Sequence, residues 1–347
     1  MKNTIILFLI HWILINDINA QVDYTKSYYN LVNQAEIKII EDNYNEAVDL
    51  YLKAFKTVPN GFVRDYYNAT VCAIKIAKYD TTFFLLDSLV TKGVGKSIFT
   101  TYSVFNPLKK KPKWQLFLSN FDKNRQVFLN KKNVELERIL KGIQYSDQEF
   151  RAKPNSYQEY TDTIKKIDKN NVRILKQLIE KYGFPNERLI GRENPKEDNI
   201  PSFIVFFHQC QKMSENREDY DFTSIQIEAV KKGELDPHFL AKWLTLQAKP
   251  ENNLGGWGIC QINSPNGKKS SFVVVKTTPQ QKEDINKKRL VYGLETLEEF
   301  NKKAVFALKE SEKTKVFAFE QYSHLSIFNL GDAKDYDKIF NKMESIE

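Results

Sequence analysis

Apolar residues recur at intervals of three and four from Tyr28 to Pro59, a period that commits this end of the chain to paired helices rather than strands. Within NYNEAVDLYLKAFKTVP, the series Tyr44, Ala47, Tyr51, Ala54 and Pro59 sets two small residues on one face with an aromatic ring between them. Alanines let a neighbouring helix approach closely, and the tyrosine fills the space that remains. Proline ends the run because it has no N–H to donate and its ring clashes with the preceding turn. The unit then repeats. Ala69 follows Ala35 by 34 residues, and a second hairpin is expected over 62–92. Its register slips by one, since Tyr79 follows Tyr44 by 35, and Thr82, Leu86 and Leu89 take the other key places.

This spacing, with Leu31 and Ala35 on the first helix, resembles the tetratricopeptide repeat. The resemblance implies stacked hairpins with a concave face for a protein or peptide, or else a cap that supports the domain behind it. Two hairpins fall short of the about three units that make such an array stable. A third helical pair is therefore expected from the segment around Trp114–Phe128.

That segment is also where charge collects. From Lys92 to Lys132 the only acid is Asp122, so the stretch carries +9 while the whole chain carries +8. Phe99, Tyr102, Phe105, Trp114, Phe117, Phe121 and Phe128 interleave with the lysines. Such a pattern can grip an anionic polymer, with Lys109, Lys110, Lys111 and Trp114 as contacts beside Tyr51 of the repeat. It also describes a solvated lysine face over helices whose aromatic rings point inward. The second reading is preferred, because the other end of the chain takes most nucleic acid out of reach.

The first twenty residues, MKNTIILFLIHWILINDINA, have the layout of a cleavable signal peptide: Lys2, an apolar run from Ile5 to Ile15, a polar stretch, then Ala20 before the cut. The run is about half the roughly 20 residues a membrane-spanning helix needs. The expectation is an exported protein, periplasmic or secreted, with no membrane span after cleavage. Three cysteines (Cys72, Cys210 and Cys260) make no disulfide framework. At most Cys210 and Cys260 can pair, and buried free thiols are the preferred reading. With 41% hydrophobic and 28% charged residues, the mature chain has a globular composition.

Past Lys132 the pattern changes. An amphipathic helix with Val134, Leu136, Ile139, Leu140 and Ile143 inward runs into Asp147-Gln148-Glu149-Phe150-Arg151. A second, from Tyr160 to Tyr182, stops at Gly183 with Pro185 behind it. An apolar stretch, Ile200 to Phe207, leads to His208-Gln209-Cys210, a helix covers about 222–232, and Asp236-Pro237 opens another. GWGICQI and SFVVVKT flank SPNG as a β-hairpin, and Val316 to Tyr322 suits a third strand or a helix.

Several of these residues fall in a recognisable order. Asp147-Gln148-x-x-Arg151, Asp168-x-x-Asn171, KYGFP with Gly191, His208-Gln209, and later Asn286, Arg289, Gly293 and Leu294 resemble an uncharacterised bacterial domain-of-unknown-function family. Its members are often exported and often carry tetratricopeptide-like helices in front. The likeness covers about 133–305 and implies no particular activity. The chain departs from the pattern after the histidine, where Gln209-Cys210-Gln211 stands in place of an acidic residue. It departs again around Trp243–Thr245, which lacks an Asp-Arg pair, and at Trp257-Gly258-Ile259-Cys260, which replaces a Tyr-Gly-Thr-Gln element.

The expected architecture is mainly α: a signal peptide at 1–20, tetratricopeptide-like hairpins at 21–95 and a basic, aromatic-rich helical connector at 96–132. An α-rich α+β domain with a small antiparallel hairpin follows at 133–331, then a tail at 332–347. No metal or cofactor is expected, since the histidines His208, His238 and His324 form no ligand array, no cysteine pair has zinc spacing, and phosphate-loop and nucleophile-elbow motifs are absent. One constellation carries a chemical hypothesis: His208 with Asp147, Arg151 and Asp168, read as side chains at helix ends. A histidine held by a carboxylate beside an arginine can act as a general base. The preferred reading of the same residues is a network that ties helix ends together, with Arg151 bridging two carboxylates through its planar fork. The preferred function is a non-catalytic protein- or peptide-binding module, and the alternative is a hydrolase using His208 with Arg151 and Asp147.

Overall fold

A computed structural model describes residues 22–197, 200–249, 252–255, 259–263, 270–309, 316–319, 326–329 and 343–346. The signal-peptide reading of 1–20 and the SPNG turn lie outside the described residues, as does His324.

Helices dominate. α1 (Tyr28–Ile40) and α2 (Tyr44–Thr57) make the first hairpin, and α3 (Val63–Lys75) and α4 (Tyr79–Thr91) the second. The spacing that sets them apart in sequence is spent on contact: Ala35, Ala47, Tyr51, Ala54 and Ala69 are all fully buried. Asn43 caps α2 by accepting from the Glu46 N–H, and α2 ends at Thr57, two residues before Pro59.

The third layer differs from a plain hairpin. A short α5 (Lys96–Thr101) and a 3-10 turn (Ser103–Leu108) lead into one long helix, α6 (Pro112–Leu129). α6 lies along α4 and runs the same way, because Lys113 pairs with Asp80 near one end and Asn124 donates to Asp87 nearer the other. Phe99, Phe105, Phe117 and Phe121 pack ring against ring beneath it, so the aromatics of the basic segment face inward.

The rest of the chain supplies α7 (Val134–Arg151), α8 (Ser156–Glu159), α9 (Thr161–Tyr182), α10 (Glu187–Ile190), α11 (Phe203–Met213), α12 (Thr223–Lys231) and α13 (Pro237–Leu246). Then come β1 (Cys260–Asn263), β2 (Ser270–Val275), α14 (Pro279–Val291), α15 (Leu297–Lys309), β3 (Ser326–Asn329) and β4 (Met343–Ser345). The expected hairpin is present, with Cys260 opposite Val273 in antiparallel register.

The sheet is larger than the hairpin. Its order is β3-β1-β2-β4, with β3 parallel to β1 and β4 antiparallel to β2. Residues 316–319 join neither a helix nor a strand, and the outer strand comes from 326–329 instead. Met343–Ser345, read from sequence as tail, pairs with β2. A strand edge with open N–H and C=O groups recruits a partner even where side chains show no strand pattern.

The hairpins do not stand apart from the second half. One continuous apolar core runs from Tyr24 to Phe319. Gly293 shows how close the approach is: at φ +75° it sits against the Tyr29 ring, where an added Cβ would meet Cδ2 at 2.7 Å. All three cysteines are buried and none forms a disulfide, and burial pushes the Cys210 thiol up to about 12.

Candidate functional site

Asp147 and Arg151 stand one turn apart on α7, and His208 and Lys212 one turn apart on α11, so each pair shares a helix face. α9 brings Asp168 between them. All four residues of the sequence constellation meet here. Arg151 grips both oxygens of Asp168 through one nitrogen, at 2.8 and 3.0 Å, while its other terminal nitrogen lies 3.1 Å from the Asp147 carboxylate. His208 Nε2 is 3.2 Å from Asp147 Oδ2, and Gln148 donates to that same oxygen at 2.7 Å. Lys212 closes the far side, 2.8 Å from both Asp168 and Asp219.

Two details differ from the sequence reading. Asp147 and Arg151 do close α7, but Asp168 and His208 lie inside their helices, α11 continuing past Gln209 to Met213 and burying Cys210 and Met213. An acid does join the network from beyond α11: Asp219, eleven residues after His208. The buried Gln209 holds that loop by accepting from the Asp219 N–H at 2.7 Å.

Burial alone would raise the Asp147 carboxyl, but His208, Arg151 and Gln148 together hold it below the usual carboxylate range. His208 has both ring nitrogens turned to side-chain oxygens, Nε2 to Asp147 and Nδ1 to Gln211 at 3.3 Å. An open groove of about 490 Å³ runs along the neighbouring face of α9, lined by Lys169, Arg173, Lys176, Glu180 and Asp219 among others. Of the network, only Asp219 lines it. A general base needs a lone pair aimed at open space. In this arrangement, the cations and carboxylates pair with one another and join α7, α9 and α11.

A second network was not singled out from sequence. Glu36 on α1, Arg64 and Asp65 on α3, Asp236 and His238 at the start of α13, Arg289 on α14, Glu295 after it and Lys303 on α15 form one buried cluster. His238 is wedged between two carboxylates, 2.8 Å from Asp236 and 3.0 Å from Glu295. Lys303 reaches Glu36 at 2.5 Å and Glu295 at 3.2 Å. Arg64 lies 2.7 Å from Asp236 and 3.0 Å from Asp65, which also accepts from the Tyr28 hydroxyl at 2.6 Å.

With carboxylates facing both ring nitrogens, His238 is an imidazolium, and the cluster then balances four cations against four anions. Burial opposes that charge, yet Glu295 and Asp236 raise the imidazole to about 9. Burial pushes Asp65 up to about 6, against the pull of Arg64. The legible signal was a charge inside an apolar stripe: Lys303 among Leu297, Phe300, Ala304 and Ala307, and Glu36 among Val32, Ala35 and Ile39.

Of the residues read as surface contacts, Tyr51 is fully buried and Trp114 is 3% exposed. Both belong to the core, Tyr51 against Phe55 and Trp114 against Phe117. Lys109 and Lys110 are exposed, and Lys111 sits over the Tyr79 ring at 4.0 Å. What α6 does expose is Leu116, Lys123 and Val127 at helical spacing, with Asn120 half-buried among them, and Phe84 of the neighbouring α4 is exposed as well. Phe84 and Leu116 are 61% and 60% exposed.

Among the described residues, no group of three or more His, Cys, Asp or Glu is arranged to hold a metal ion. No described helix is long and apolar enough to cross a membrane. No family model, no curated protein and no solved structure matches this chain.

Proposed function

We propose that the protein is an exported, non-catalytic binding module built on its helical hairpins, and a member of the uncharacterised family its motifs resemble. The observation that carries the reading is the bare outer face of α4 and α6. Phe84 on α4 and Leu116 and Val127 on α6 remain exposed, and Lys110 and Lys123 of the same basic segment make no ion pair with described residues. Exposed apolar side chains grouped on one face mark an interaction surface. Their basic surround fits a partner segment that is acidic with apolar anchors, held more weakly as salt rises.

The test is capture of a partner from envelope extract by the wild-type protein and by L116E/V127E. The reading expects one partner recovered by the first and lost by the second, with both proteins melting alike. Equal recovery by the two sinks it. Amino-terminal sequencing of the mature protein checks export separately: the expected first residue is Gln21.

The convergence of His208, Asp147, Arg151 and Asp168 favours a second reading, a hydrolase with His208 as base. A substrate screen in which His208→Ala leaves every detected turnover unchanged removes it.

A further inference from the structure

Asn33 and Asn68 stand 35 residues apart, the interval that also separates Tyr44 from Tyr79, and so occupy equivalent places on the first helices of the two hairpins. Each turns its carboxamide toward the backbone of the carboxy-terminal half. Asn33 donates to the Gly293 carbonyl at 2.9 Å. Asn68 does more. Its Nδ2 donates to the Ala318 carbonyl at 2.9 Å, and its Oδ1 accepts from the Ala318 N–H at 2.8 Å. Tyr67, one residue earlier, donates to the Val316 carbonyl at 2.9 Å.

The held segment, residues 316–319, belongs to no helix or strand. A buried backbone amide must find partners, and neighbouring strands or helical turns normally provide them. Here one asparagine satisfies both polar groups of a single residue. Side chains on either side fill aromatic pockets. Phe317 stacks on Tyr44 at 6.0 Å, with the Lys75 ammonium 5.8 Å from its ring, and Phe319 packs edge-on against Phe306 at 5.6 Å. Ala318 between them is 3% exposed, which leaves room for a small side chain only. Main-chain hydrogen bonds supply affinity and alternate side-chain pockets supply selectivity, the division of labour of a peptide-binding site.

We propose that this inner face of the hairpins is a peptide-binding site for an aromatic–small–aromatic segment, filled in cis by Val316–Phe319. The site is distinct from the outer face of α4 and α6. A tethered occupant competes at an effective concentration on the order of millimolar. A partner chain with the same spacing therefore enters only when the internal segment is released.

The experiment uses the full-length protein and a fluorescent peptide of sequence KVFAFEQ. Two variants vacate the site by different routes: F317S/F319S removes the pocket-filling rings, and A318P removes the N–H that Asn68 accepts. The expected result is saturable micromolar binding to a vacated variant that keeps its helical circular dichroism, with none to wild type in that range. Adding Asn68→Ala weakens that binding about tenfold, the loss expected for a severed hydrogen-bond pair. A peptide with proline in place of the alanine does not bind. Failure of a folded, vacated variant to take up the peptide overturns the proposal, as does binding indifferent to Asn68→Ala. Should both variants lose their helices, photo-crosslinking of the peptide to wild type at millimolar concentration decides. No Asn68-dependent adduct there overturns it equally.

Discussion

Each of the two polar networks sets a histidine against an aspartate with an arginine on a neighbouring helix. The His208 network joins three consecutive layers, α7, α9 and α11, and leaves 14% of the histidine side chain open to solvent. The His238 cluster joins α1 and α3 to α13, α14 and α15, and its Lys303 and Glu295 side chains are fully enclosed. A charge beside water can relax when its partner is lost, whereas an enclosed one cannot. Removing one member of a buried pair thus costs far more than the pair contributes as a whole. Similar chemistry serves as a local brace in one place and as the joint between the two halves of the chain in the other.

That contrast can be broken most directly at Lys303. Lys303→Met takes the close cation from Glu36, whose next is Arg64 at 3.9 Å, and leaves Glu295 to His238; the expected loss is about 3 to 5 kcal/mol in urea unfolding, measured with the unfolding slope to confirm a single transition. A loss below that of Arg151→Met would reverse the ranking of the two networks.

The next effect is a pH profile. The folded imidazole of His238 lies near 9, above its ordinary 6.5, so its contribution is complete below about 6.5 and is lost as pH rises through 9. The stability at stake is about 3 kcal/mol. Thermal melts from pH 6 to 10 should fall in wild type and fall less steeply in His238→Gln. Parallel profiles would mean that the charge sits elsewhere.

Arg151→Met is expected to cost about 2 kcal/mol, since it leaves Asp168 with Lys212 but frees the Asp147 side to water. His208→Gln should cost under about 1 kcal/mol, because Asp147 keeps Arg151 and Gln148. A larger loss for His208→Gln than for Arg151→Met, in the same denaturant series, would move the centre of the brace onto the histidine.

Much of the fold could be read from residues alone, for physical reasons that also explain what could not. The Ala47, Tyr51 and Ala54 spacing encodes helix contact locally, and Gly183 marks a helix end locally. Both appear in the structure where the sequence puts them, with α9 ending at Tyr182. Asp147, Arg151, Asp168 and His208 meet because i, i+4 pairs on successive helices need little long-range information. The His238 cluster draws on Glu36 and Lys303, 267 residues apart. A single charged residue reads as solvated unless its apolar neighbours on the same stripe are weighed with it. The burial of Tyr51 and Trp114 follows the same rule: aromatic residues among lysines pointed to a surface, while their helical phase pointed inward. β4 had no pattern to read, since pairing with β2 rather than side-chain character places it.

The ion pair between Glu36 and Lys303 also sets an order in time. At ordinary synthesis rates the lysine is made tens of seconds after the glutamate. Until it arrives, Glu36 has only the more distant Arg64, at 3.9 Å, to balance its charge. The first described α-helix is therefore among the last to be finished, and a nascent chain stopped short of residue 303 leaves its buried charge without the lysine that pairs with it.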